Sequence, residues 1–184
     1  MIPLHLDPAQ TRIALIGRGA LAVRRLNWLI QGGAAPDVWS DEPSQELLTS
    51  ANGRFERRLP REAELADYHA IWVADLPVES AELIANAARS ANVLVNVEDV
   101  LPLCDFHTPA VLRRGQLTLT AGTGGASPAV ARAARERLEA AFPESWALAL
   151  KEIAQSRTAL RQKGAGFDAL VADARARLAQ HGLT

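Results

Sequence analysis

The apolar run Arg12–Ile16 ends directly in Gly17-Arg18-Gly19-Ala20-Leu21-Ala22, a G-x-G-x-x-A turn. From there Leu21, Leu26, Leu29 and Ile30 recur at helical spacing until Gly32-Gly33. A buried strand that breaks at glycines and continues as an amphipathic helix leaves few folds open. A second short run, Asp37–Ser40, follows, so residues 12–40 read as one β-α-β unit. In such a turn the first glycine permits a tight bend and the second lets backbone approach a pyrophosphate. The third small residue lets helix and strand pack, and the helix N-terminus adds partial positive charge. Gly17, Gly19 and Ala22 suit those roles, with Arg18, Ala20 and Leu21 completing the turn. An acid for ribose hydroxyls belongs about 20 residues further on. Asp41 stands there beside Glu42, although both also suit a cap before Pro43. The turn points to a dinucleotide or related phosphate ligand, against a silent turn of the same shape.

The alternation continues. Gly53–Leu59 suits a short strand, Tyr68–Ala74 a better one, Val78–Ala91 a helix and Val93–Val97 another strand. Strands alternating with helices of this length predict an α/β fold, a Rossmann-like doubly wound parallel sheet. Glu98–Ala110 reads as an irregular loop rich in proline and acid, and Gln116–Ala121 as a strand with one wetter face. Ser127 and Pro128 suit the N-cap and first position of a helix reaching Ala141. After Glu144 only helical spacing remains, in two stretches divided at Lys163–Gly166. The expected organisation is a nucleotide-binding domain over 1–115, a strand and helix over 116–143, and a small helical C-terminal module over 144–184. The module's apolar stripe requires cover from its own domain or from a second copy in a dimer.

Bulk properties exclude several classes. A formal charge of −1 gives no pull toward nucleic acid or an anionic membrane, and no apolar run reaches the length of a membrane span. The N-terminus lacks the pattern of a secretory leader, so a cytoplasmic protein is expected. One cysteine, Cys104, rules out an internal disulfide and a multi-cysteine metal site, and it suits a buried small hydrophobe. His5, His69, His107 and His181 are scattered, so no resident metal is expected.

Ligands of open α/β sheets bind outside the carboxyl ends of the strands. Three such ends are polar here: Gly17–Gly19, Asp75, and Asn96–Asp99. An acid between a buried strand and an apolar, proline-bearing loop is placed to trade protons near neutral pH. The alternative is that Asp99 or Glu98 merely caps the turn.

Four stretches share one order and spacing with a known family: Pro3-Leu4 with Leu6, "IGRGALAVRRLNWLIQGGA", "LVNVEDVLPLCDFHTPAVL" and "LTAGTGGASPAVARAARERLEAAFP". Together they resemble the precorrin-2 dehydrogenase/sirohydrochlorin ferrochelatase family, the N-terminal module of siroheme synthase. The likeness covers most of residues 1–143, and the chain ends before the methyltransferase domain of fused relatives. The resemblance implies NAD-dependent oxidation of precorrin-2 to sirohydrochlorin and, in bifunctional members, insertion of ferrous iron as a substrate. It makes Asp99 the catalytic aspartate and Gly17–Ala22 the cofactor turn. Asn96, His107, Thr123, Gly124, Gly125 and Ser127 fall on the substrate side, Thr123 at a serine position associated with phosphorylation in some members. The helical tail is implied to form a homodimer. A tetrapyrrole with many carboxylates suits arginine clamps, and Arg113, Arg114 and Arg132 are candidates.

Two positions depart from the family pattern. Arg18 replaces a glycine, and its side chain either reaches a phosphate or crowds it. Asp75 stands at a threonine position, where a carboxylate repels a pyrophosphate but accepts from a ribose. These departures raise a second reading, a homologue with impaired NAD binding that acts as chelatase only or as a tetrapyrrole carrier or assembly partner. A dinucleotide-sensing module ranks after both, since it has no use for the Asp99 loop.

Overall fold

Strand β1 (Ile13–Gly17) is buried along its whole length, as the central strand of a covered sheet must be. It pairs in parallel with β2 (Asp37–Trp39) on one side and β4 (Ala70–Ala74) on the other. With β3 (Phe55–Glu56) and β5 (Leu94–Val97) the order is β3-β2-β1-β4-β5, all parallel. The computed structural model describes residues 1–184, and the doubly wound α/β sheet read from the sequence is what forms.

Period-two alternation sorts the core into two layers. Ala14, Ile16, Ile71 and Val73 face α4 (Val78–Ser90), which contributes Ala81, Ile84, Ala85 and Ala88. Ile13, Leu15, Ala70 and Trp72 face α1 (Ala20–Gln31) and α2 (Gln45–Ala51). Two short helices are new relative to the sequence reading. In α2 the Ser44 hydroxyl accepts from the Leu47 amide at 3.1 Å. In α3 (Glu62–Leu65) the Glu64 carboxylate accepts from the Arg61 amide at 2.7 Å. Each is too short to establish a periodicity, and local caps hold it.

The chain divides into two compact units, Met1–Thr108 and Pro109–Thr184. The second opens with an antiparallel hairpin of β6 (Ala110–Arg114) and β7 (Leu117–Ala121), turning at Gly115 with φ 59°. Strand β6 is missing from the sequence reading, which also placed no partner beside β7. The expected boundary after residue 115 falls inside this hairpin, whose strands are hydrogen-bonded to each other and stay together. Helices α5 (Pro128–Ala141), α6 (Ser145–Gln162) and α7 (Phe167–Gln180) follow, near their expected bounds. No helix is long and apolar enough to cross a membrane.

Candidate functional site

The sheet reverses its winding between β1 and β4, and that switch point is where an open α/β sheet opens a crevice at its carboxyl edge. Gly17 ends β1 there. A Cβ on it would lie 2.3 Å from the Ala74 carbonyl oxygen and 2.9 Å from Cβ of the fully buried Ala22. Only glycine permits this approach of α1 to the sheet. Gly19 is the N-cap of α1 and offers no side-chain acceptor, so the first-turn amides of the helix need acceptors from elsewhere.

Asp75 follows β4 in the left-handed region, with φ 54°. Its Oδ2 accepts a hydrogen bond from the Leu21 amide at 2.6 Å and lies 2.6 Å from where a Cβ on Gly19 would stand. The sequence left two orientations open for this carboxylate, and it is turned onto the helix N-terminus. Arg18 does neither thing expected of it. Its Nε and Nη2 donate to Asp41 at 2.8 and 2.6 Å, and Nη1 lies 3.6 Å from Glu42. The guanidinium hydrogen bond holds the Asp41 carboxyl below the usual range and raises Arg18 in return. The acid expected at the ribose is thus ion-paired with the turn's own arginine.

At the end of β5 two neighbouring acids take opposite roles. Glu98 is nearly buried, and its carboxylate accepts from Arg25 Nε at 3.0 Å and Arg24 Nη2 at 3.1 Å, both from α1. Asp99 is exposed, sits at φ 62° in a turn closed by the Val100 amide on the Val97 carbonyl, and has no hydrogen bond or ion pair within the protein. The Cys104 thiol donates to the Val97 and Val100 carbonyls at 3.1 and 3.4 Å, clasping that turn from beneath. Burial pushes this thiol up from its ordinary pKa.

Asn96 requires a correction. It is buried, and its amide donates to the Phe106 carbonyl at 2.8 Å, so it tethers the returning loop rather than facing a ligand. Phe106 stands edge-on to Trp72, whose indole donates to Thr108 at 3.2 Å. His107 lies in this loop, with a buried Nδ1 that has no partner. Sequence reasoning missed Arg25 as the anchor of the Asp99 turn, because nothing in spacing links residues 73 apart.

In the second unit the GTGGASP segment forms a cap. Thr123 Oγ1 bonds both the amide and the carbonyl of Ser127 at 3.2 Å, and Ser127 Oγ accepts from the Val130 amide at 3.3 Å. Gly124 and Gly125 take positive φ, 64° and 85°. Arg114 is also corrected. It is buried, donates to the Phe142 carbonyl at 2.7 Å and pairs with Glu144 at 3.1 Å, so it fastens the unit and is not a free clamp. Arg113 is half-buried, while Arg132 is exposed and pairs with Glu136 at 3.0 Å. No cluster of three His, Cys, Asp or Glu side chains is arranged to hold a metal.

A family described as "Putative NAD(P)-binding" matches residues 4–110. The siroheme synthase of Methylococcus capsulatus is 32% identical over 166 residues, which is 88% of this chain and 35% of that protein. That of Nitrosomonas europaea is 31% identical, again over 88% of this chain and 35% of its own length. The chain therefore spans about a third of the length of these curated relatives. A solved structure titled "SirC, precorrin-2 dehydrogenase" aligns over the whole of both chains with a TM-score of 0.71 at 22% identity, a likeness of fold.

Proposed function

The chain belongs to the NAD(P)-binding family that matches residues 4–110, and from that premise we propose that it oxidises precorrin-2 to sirohydrochlorin with NAD. The residues suit the cofactor. Gly17 and Ala22 bring α1 against the sheet, and the space beside Gly19, held by the Asp75 carboxylate, suits a pyrophosphate once that exposed side chain turns aside. The amides of Ala20 and Leu21 would then hold the phosphates, with Asp41 and Arg18 toward the adenine ribose. When bound, the nicotinamide supplies the hydride acceptor.

The observation that carries the reading is Asp99. It stands at the carboxyl edge shared with the glycine turn, and its carboxylate is tied to nothing. A base of this kind takes a proton without breaking an internal hydrogen bond. As the substrate carbon loses its hydride, Asp99 accepts the proton released from the same macrocycle, so one C–H bond and one further proton are lost together. The relatives' names, siroheme synthase and precorrin-2 dehydrogenase, support this substrate. Arg113 and Arg132, although each is engaged within the protein, are kept as candidate carboxylate partners, and Gly124, Gly125, Ser127 and His107 as candidate substrate residues. The same free carboxylate suits removal of pyrrole protons while ferrous iron, as substrate, enters sirohydrochlorin. We include a homodimer, which the exposed Phe167 and Leu148 of the helical unit favour, and a cytoplasmic location.

The test is anaerobic incubation of the protein with precorrin-2 and NAD. NADH and sirohydrochlorin should appear in step. Binding of sirohydrochlorin without any oxidation of precorrin-2 would replace this reading with that of a chelatase or tetrapyrrole carrier, the alternative that Asp75 at the cofactor turn favours.

A further inference from the structure

We propose that Asp75 is an internal competitor for the pyrophosphate of the dinucleotide, and therefore the residue that sets how tightly the cofactor is held. The proposal rests on the reading of the glycine turn as a dinucleotide site. The space that glycine leaves open at position 19 is the space a pyrophosphate needs, and the Asp75 carboxylate already lies in it. Its Oδ2 is 2.6 Å both from the Leu21 amide and from the position a Gly19 Cβ would take. A carboxylate there does for α1 what a bound phosphate does: it satisfies an orphan amide and sets negative charge at the positive end of the helix. Arg18, the one cation of the turn, has its Nε and Nη2 on Asp41 and its Nη1 toward Glu42.

The carboxylate is displaceable. Asp75 is exposed, and the Leu21 amide is the one hydrogen-bond partner its side chain has. An arriving pyrophosphate breaks that bond and then lies beside the displaced carboxylate, so part of its affinity is lost twice. Removing the charge ends the repulsion and weakens the bond to be broken, and removing the side chain ends both losses. The left-handed backbone at Asp75 limits which substitutions are clean. Asparagine tolerates this region and glycine adopts it freely, so Asp75→Asn and Asp75→Gly change the side chain without straining the turn.

Calorimetric titration of NAD into the wild-type protein and both variants tests the proposal, with circular dichroism as the check on folding. Both variants should bind NAD about tenfold tighter or more, the size expected for one charged hydrogen bond released. Damage to the fold weakens binding, so a gain has no structural explanation. Unchanged or weaker NAD binding in folded variants, beside measurable binding by the wild type, overturns the proposal and leaves the dinucleotide reading standing. Absence of NAD binding in all three proteins overturns both.

Discussion

Replacing Arg25 with alanine should unfasten the turn that carries Asp99. The Glu98 side chain is 10% exposed and that of Arg25 12%, so this is a mostly buried ion pair. Breaking such a pair by removing one partner typically costs about 3–5 kcal/mol, because the remaining charge is left without a counterion. Here the cost is reduced. Arg24 still donates to the other carboxylate oxygen at 3.1 Å, though its own side chain is 66% exposed and holds less firmly. The Arg25 guanidinium also lies 5.1 Å from the Trp28 ring centre, and the substitution removes that cation–π attraction as well. Together these set the expected loss at about 2–3 kcal/mol. Urea unfolding followed by tryptophan fluorescence reads it. Arg25→Ala combined with Glu98→Gln should be more stable than Arg25→Ala alone, because the stranded charge is gone. A loss below about 0.5 kcal/mol for Arg25→Ala, the range of ordinary surface substitutions, would refute the claim that this pair anchors the turn.

Two further outcomes are expected. Cys104→Ala removes the thiol donor beneath Val97 and Val100, and should lower kcat several-fold while leaving the Kd for NAD unchanged; equal kcat would remove Cys104 from any positioning role. Glu64 is held far below the usual carboxylate range by Arg58 and Arg61, so its contribution to stability is present above about pH 4 and is lost as pH falls further. Arg58→Ala should therefore flatten the acid limb of a pH–stability curve measured by thermal unfolding, and an unaltered limb would contradict this assignment.

The sheet was legible because its signals are local. In β1 and β4 every residue is apolar, and the change to helical spacing after Gly19 marks where strand becomes helix. The hairpin was less legible. Strand β6 is five residues long, with Arg113 and Arg114 at one end and a proline before the other, so its pattern resembles a loop. At the site, the strand ends that carry polar residues could be named from sequence, but their partners could not. Asn96 alternates with Val95 and Val97 and so belongs on the other face of β5, which looked open until the Phe106 loop folded back over it. The pairing of Arg18 with Asp41 and the turn of Asp75 onto Leu21 join residues far apart in the chain. In both, a charged group of the turn meets a partner within the protein, the arginine an acid and the acid a helix N-terminus.

The most direct test of the proposed chemistry compares Asp99→Ala with the wild-type protein in anaerobic oxidation of precorrin-2, with NAD binding measured on the same samples. Proton transfer to Asp99 requires an unchanged Kd for NAD and a rate lower by about a hundredfold or more, the usual contribution of a positioned general base. Wild-type turnover by Asp99→Ala would contradict it.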